Sequence, residues 1–337
     1  MKRLVALFLL LSILLCGCSS LQPQKQYTAT FLTLFDTVTT IVGHAESETT
    51  FQERAQKIHD ELQVYHRLFD IYNDYEGVNN IKTINDNAGI APVAVDDALI
   101  ELLQACKHYY SLTGKKVNVA MGSVLALWHR ARTAGINDPQ NAKLPAAAAL
   151  EAAAAHIDFD AVVIDPEAST VYITDPEMSL DVGAVAKGWA TQKVAENAPE
   201  GMLISVGGNV CATGPKMGEN PWIIGIQDPR GDENLHTVYV ERGTVVTSGD
   251  YQRTYTVDGE KYHHIIDPDT RMPAGYWRSV SIVCDDSGLA DALSTALFLL
   301  PLEEGEALAQ SCGVEAFWVD LEGEEYMTPG FRNIIRT

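Results

Sequence analysis

Residues 288–301, GLADALSTALFLLP, carry one charge, Asp291, in a stretch otherwise built for burial. A helix that is apolar nearly all round belongs in an interior, where a carboxylate is costly unless it is paired, hydrogen-bonded or holding a metal. Thr295 stands one helical turn beyond Asp291, so the two side chains share a face. A carboxylate beside a hydroxyl suits a hard cation such as Mg2+, which takes few protein ligands and keeps waters or substrate phosphates. The plain alternative is a surface aspartate, or a buried one satisfied by backbone or an arginine.

Two further groups could do chemistry. In SLDVGAVAKGWA (179–190), Asp181 ends a strand, Gly183 permits a tight turn and Lys187 sits in an apolar helix start. The spacing is not that of a Walker A loop. A helix N-terminus with free N–H groups, a glycine and one lysine can still receive a phosphate or a ligand carbonyl. An ordinary strand–turn–helix junction, with Lys187 snorkelling to water, accounts for the same residues. TSGDY (247–251) and HHIIDP (263–268) form the third group. On a strand, His263 and His264 point to opposite faces, so at most one serves a given site and both could be plain surface residues.

The elements that must position these groups follow from periodicity and turn chemistry. Phe31–Val42 reads as a strand pair or one long strand, and Glu48–Phe69 as an amphipathic helix. Asp97–Thr113 and Ser123–Ala134 are further helices, and the alanine-rich Pro145–His156 is expected as a packed helix. Short strands are expected at 161–164, 170–174, 203–206, 222–227, 237–240, 245–248 and 279–284, with a helix over Ala184–Glu196. Asp258-Gly259 marks a hairpin between Arg253–Val257 and Lys261–Ile266, and Pro301 should end the helix that holds Asp291. Neighbouring antiparallel strands with interspersed helices predict an α+β fold, mainly antiparallel sheets with packed helices, over a doubly wound α/β sheet.

Composition narrows the function. The 337 residues carry a formal charge of -21. Lys2 and Arg3 are the only charges in residues 1–17, so a chain without that segment carries -23. Such a chain is unsuited to non-specific nucleic-acid or anionic-membrane binding, and a phosphate ligand would need a cation. The basic start, the apolar run Leu4–Leu15 and the small-residue site after it read as a secretory signal, too short for a comfortable span. Cys106, Cys211, Cys284 and Cys312 have no zinc spacing and are expected as free thiols.

Leu15-Cys16-Gly17-Cys18-Ser19-Ser20 resembles a bacterial lipobox, with Cys18 after the small Gly17 as the lipid-modified residue. The expected organisation is a signal peptide over 1–17, a lipidated Cys18 and stalk over 18–30, and one domain over 31–337. In order along the chain, FDT (35–37), DVGAVAKGWA (181–190), ISVGGN (204–209), GIQDP (225–229), TSGDY, HHIIDP and LADALSTAL (289–297) resemble the FAD:protein FMN transferases, the ApbE family. That resemblance implies Mg2+-dependent transfer of FMN from FAD to a threonine or serine of a target protein, such as a membrane electron-transport subunit. It implies Asp291, Thr295 and the Ala184 carbonyl as metal ligands, and His264 as the histidine associated with catalysis; as a neutral imidazole of ordinary pKa, His264 is the expected general base near neutral pH. It places Phe35, Tyr72, Ala120, Met121, Gly122, Asp181, Lys187 and Ile265 at FAD. Phe35 departs from a common Met, Asn118 and Asn209 from frequent Asp, and Arg271 from a frequent Gly. An FAD pyrophosphatase giving FMN and AMP, or a non-catalytic flavin-binding lipoprotein, are the competing readings. In each case the protein is expected lipid-anchored on the extracytoplasmic side of a membrane.

Overall fold

The computed structural model describes residues 24–336. The expected signal peptide, Cys18 and the first part of the expected stalk lie outside them. From the N-terminus, the hairpin β1 (Lys25–Leu34) and β2 (Thr37–Ala45) leads to α1 (Glu48–Phe69), α2 (Ile81–Asp86), β3 (Val93–Ala94) and α3 (Asp97–Leu112). Then come α4 (Gly122–Asn137), α5 (Ala147–Ala153), β4 (Val162–Asp165), β5 (Thr170–Ile173) and α6 (Ala186–Asn197). The second half runs β6 (Met202–Val206), β7 (Asn209–Ala212), β8 (Trp222–Gln227), β9 (Asn234–Val240), β10 (Gly243–Gly249), β11 (Tyr255–Val257), β12 (Glu260–Tyr262) and β13 (Trp277–Cys284). It closes with α7 (Ser287–Phe298), α8 (Leu302–Cys312), β14 (Glu315–Asp320), β15 (Glu325–Met327) and α9 (Pro329–Ile334).

One sheet organises the molecule, in the order β1-β2-β6-β7-β10-β13-β14-β15 with every pairing antiparallel. Alternation along its strands separates two cores. Ile204, Val206, Val246, Ile282 and Ala316 face the helical side, where α1, α6, α7 and α8 pack. Ala212, Val245, Phe317 and Val319 face the β8–β9 hairpin and α9 on the other side. A third cluster joins α4 to the β11–β12 hairpin through Trp128, Tyr255 and Val257. The α+β reading therefore holds, and so does the burial of α7, whose residues between 287 and 298 are buried except Leu289 and Thr295.

Several local expectations shift for identifiable reasons. β1 begins at Lys25, inside the segment read as stalk. The Phe31–Val42 stretch is a hairpin whose two-residue turn, Phe35-Asp36, has both residues in the left-handed region (φ 53° and 52°). That geometry matches the twist of the flanking strands but usually requires Asn or Gly. Pro301 does not end α7, which stops at Phe298; it precedes the first turn of α8, where its missing N–H costs nothing. The alanine-rich helix lies on the surface with only Leu150 buried, because methyl groups alone offer little area to pack. The strand expected to run to Ile266 stops at Tyr262.

α6 and α7 are in close contact at Gly188. A Cβ there would lie 2.3 Å from the Ser287 carbonyl oxygen and 2.4 Å from the Asp291 Cβ. Gly188→Ala is therefore expected to separate the helices and cost about 1–3 kcal/mol through overpacking. Gly231→Ala, with nothing within 4 Å of the added atom, should change the melting temperature little. Comparing the two melting curves checks the contact, and equal curves would reject it.

Candidate functional site

A cavity of about 460 Å3 opens between the sheet, α4, the start of α6 and the face of α7 that carries Asp291 and Thr295. That volume lies in the range of small-molecule sites. Asp291 and Thr295 line it from α7, Ala184 and Lys187 from the turn into α6, and His264 and Ile265 from the loop after β12. Phe35, Tyr72, Met121 and Asp181 complete the residues expected there. Ala120 and Gly122 do not line it. They hold Met121 in place: the Gly122 N–H donates to the Ser179 carbonyl at 2.9 Å, so close that a Cβ would meet that oxygen at 2.4 Å.

Asp291 has partners. Its Oδ2 accepts the Gly188 N–H at 2.8 Å, and the Lys187 ammonium lies 3.6 Å away. The carboxylate thus faces the first turn of α6, where it takes up the Gly188 N–H and the helix dipole favours negative charge. Thr295 contributes a hydroxyl that makes no bond back to its own helix, whereas Thr191 and Thr113 both donate to the carbonyl four residues earlier. Ser294 instead bonds the Asp291 carbonyl. Asp291, Thr295 and Ala184 line the same cavity, and carboxylate, hydroxyl and backbone carbonyl oxygens are the donor types a hard divalent cation takes. Among the described residues no group of three or more His, Cys, Asp or Glu could hold a metal.

The two histidines separate by bonding, not by strand alternation. His263 accepts the Ile265 N–H at Nδ1 (3.2 Å) and donates from Nε2 to the Ala274 carbonyl (2.9 Å). It is a neutral brace for the loop. His264 lines the cavity with its Nδ1 sealed from water and without a hydrogen-bond partner. Its pKa is pushed down to about 3, first by desolvation and then by Arg253, His263, Lys187 and Arg132. The expectation of an ordinary imidazole is corrected: in the ligand-free protein this histidine is neutral and a weak base.

The cavity also contains residues that sequence reasoning did not assign. Lys116 and Arg253 line it with Lys187, and Lys116 spans Asp267 at 3.1 Å and Asp269 at 2.8 Å. Asp36, Asp70, Asp181 and Asp291 share the lining, so the cavity holds charges of both signs, with Lys116 and Lys187 already ion-paired. His129 lines the cavity beside Tyr72, whose hydroxyl is 2.9 Å from His129 Nδ1. Asp181 Oδ2 is 3.9 Å from the other ring nitrogen, and its Oδ1 accepts the Gly183 N–H at 3.0 Å. Burial lowers the His129 pKa against the pull of Asp181. Asn118 is structural: its amide donates to the Ile157 carbonyl and accepts the Ala120 N–H. No local motif marked Arg253, Lys116 or His129, which meet only through long-range packing. Arg271 adopts φ 61°, the left-handed geometry that explains a preference for glycine at that position.

The sequence profile of the ApbE family matches residues 35–318. An FAD:protein FMN transferase of Treponema pallidum is 36% identical over 261 residues, covering 71% of this chain and 70% of the relative. One from Klebsiella pneumoniae is 31% identical over 276 residues, covering 77% and 83%. The crystal structure of the ApbE protein of Thermotoga maritima superposes with a TM-score of 0.82 at 29% identity, covering 93% of this chain and all of the other. The flavin transferase ApbE of Vibrio cholerae shares the fold, with a TM-score of 0.76 at 22% identity over 93% of this chain and all of the other.

The depressed pKa of His264 has a checkable sign. On acidification the unfolded histidine takes its proton near pH 6.5 and the folded one only near 3. This residue therefore lowers stability progressively as pH falls below 6.5. Imidazole carbon shifts should show His264 neutral from pH 7 to about 4. Inorganic pyrophosphate, by offsetting Arg253 and Lys187, should move its titration upward. A ligand-free titration midpoint near 6.5 would overturn the electrostatic account.

Proposed function

The chain belongs to the ApbE family, and on that premise we propose that it is an FAD:protein FMN transferase acting on a threonine or serine hydroxyl of a target protein. The observation that carries this reading is the convergence on one cavity of Asp291, Thr295 and Ala184, an uncharged histidine and the cationic Lys116, Lys187 and Arg253. Phe35, Tyr72, Met121, Asp181, Lys187 and Ile265 contact FAD there, while Ala120 and Gly122 shape the wall. Asp291, Thr295 and the Ala184 carbonyl hold Mg2+, which when bound supplies positive charge at the phosphate oxygens.

The chemistry is an in-line displacement. The acceptor hydroxyl oxygen bonds to the flavin-side phosphorus as the bond from that phosphorus to the bridging oxygen breaks. AMP departs with the bridging oxygen, and FMN is left as a phosphoester. Lys187 and Arg253 offset the charge of the diphosphate. His264 accepts the hydroxyl proton. Its low ligand-free pKa stems partly from the same cations that the diphosphate neutralises, so substrate binding raises its basicity at the moment a base is needed. The protein is tethered through lipid on Cys18 at the outer side of a membrane, and its acceptors are subunits of membrane electron-transport complexes.

Incubating the purified protein with FAD, Mg2+ and an acceptor fragment should add the mass of one FMN to the fragment and release AMP. Asp291→Ala should abolish the Mg2+-dependent part of turnover. His264→Ala should slow transfer by about 10²–10⁴-fold while changing FAD affinity far less. AMP without adduct would mean that water is the acceptor and the enzyme is an FAD pyrophosphatase. Neither product would leave a flavin-binding lipoprotein.

A further inference from the structure

One buried polar side chain at the cavity has no task in the reaction just described. Asn209 opens β7 directly after the Gly207-Gly208 turn, is 1% exposed and lines the cavity. The strand register sets it in a row across the central sheet: Thr39, Val206, Asn209, Val246, Ile282, Ala316. Its amide nitrogen is sealed from water and has no hydrogen-bond partner. A valine would match its neighbours Val206 and Val246, whereas an unmade buried donor is destabilising. The Thr39 hydroxyl is also unpartnered, but Thr39 lies two strands away, roughly 10 Å along the sheet. The two cannot satisfy each other. The other cavity asparagines are bonded: Asn118 has its amide bonded to backbone on both sides, and the Asn73 amide donates to Asp70 at 2.9 Å.

The surroundings define the missing partner. Anionic groups of a ligand have Lys187 and Arg253 to meet them. Asn209 is flanked by apolar strand residues, and the turn before it packs on the hairpin that bears Phe35: a Cβ on Gly207 would lie 2.6 Å from the Thr37 hydroxyl. A neutral donor among apolar and aromatic neighbours complements a neutral acceptor on a flat ring. Resting on the FAD reading above, we propose that the Asn209 amide donates to a carbonyl oxygen or ring nitrogen of the dinucleotide's heterocycle. It is a specificity-determining residue whose donor stays unsatisfied until the ring arrives. A buried donor of this kind discriminates strongly against ligands that leave it unpaired.

The test joins two readouts of opposite sign on the full chain. Without ligand, Asn209→Val should melt about 2 °C or more above the parent, because the unmade donor is gone. The same variant should bind FAD about 10-fold more weakly, a loss of one good hydrogen bond. FMN and ADP, titrated separately, identify the ring: the loss appears with FMN if Asn209 reads the flavin and with ADP if it reads adenine. Asn209→Ala, which cannot overpack, should reproduce the affinity loss if valine disturbs the strand. FAD binding within two-fold of the parent in both variants would overturn the proposal. So would equal losses for FMN, ADP and inorganic pyrophosphate with lowered melting temperatures, the signature of an internal structural role. A parent that binds FAD but transfers no FMN would remove the transferase reading and leave this one standing.

Discussion

The site depends on one contact, the meeting of the Asp291 carboxylate with the first turn of α6. A charge on a buried helix is tolerable only with strong partners, and here they are the Gly188 N–H and the Lys187 ammonium. That arrangement forces α6 and α7 together until no side chain fits at residue 188. It also places Ala184, at the entry to α6, and Thr295, one turn along α7, on the same cavity. The acid is thus both a fastening between two helices and part of the cavity wall. Its hydrogen bond to backbone fixes its orientation, as outer partners do for metal ligands generally.

Charge is distributed unevenly around this contact. The chain is strongly acidic overall, yet Lys116, Lys187 and Arg253 line one cavity, with Arg132 near enough to act on His264. Asp36, Asp70, Asp181 and Asp291 share that lining, and low-dielectric walls strengthen the field of each charge. The consequence is visible in the imidazoles, since His129 and His264 are both held below their ordinary pKa by burial and by these cations. An anion entering the cavity would relieve that pressure, so substrate charge and base strength are linked through shared neighbours.

The backbone is also unusual around this cavity. Phe35, Asp36 and Arg253 line it in left-handed conformations, which bulky residues rarely adopt. Each costs on the order of 1–3 kcal/mol and persists only where surrounding structure enforces it. For Phe35 the enforcement is the two-residue turn of the β1–β2 hairpin together with a hydrogen bond from its N–H to His66. The ring is thereby fixed at the rim, where a flexible turn would let it swing.

The sequence by itself determined a good deal. The helical period of Glu48–Phe69, the apolar envelope of Asp291 and the ordered motifs gave the α+β class and most of the cavity's lining, because burial patterns and turn residues are written locally. It misjudged what local pattern cannot express. His264 lost its ordinary pKa, and the alanine-rich helix stayed on the surface. Pro301 began a helix instead of ending one, Arg253, Lys116 and His129 carried no motif, and the ISVGGN motif that ends on Asn209 did not reveal that its amide is unpaired. Only the tertiary structure decided these, because desolvation, ion pairing and an orphaned donor are sums over neighbours that arrive from distant parts of the chain.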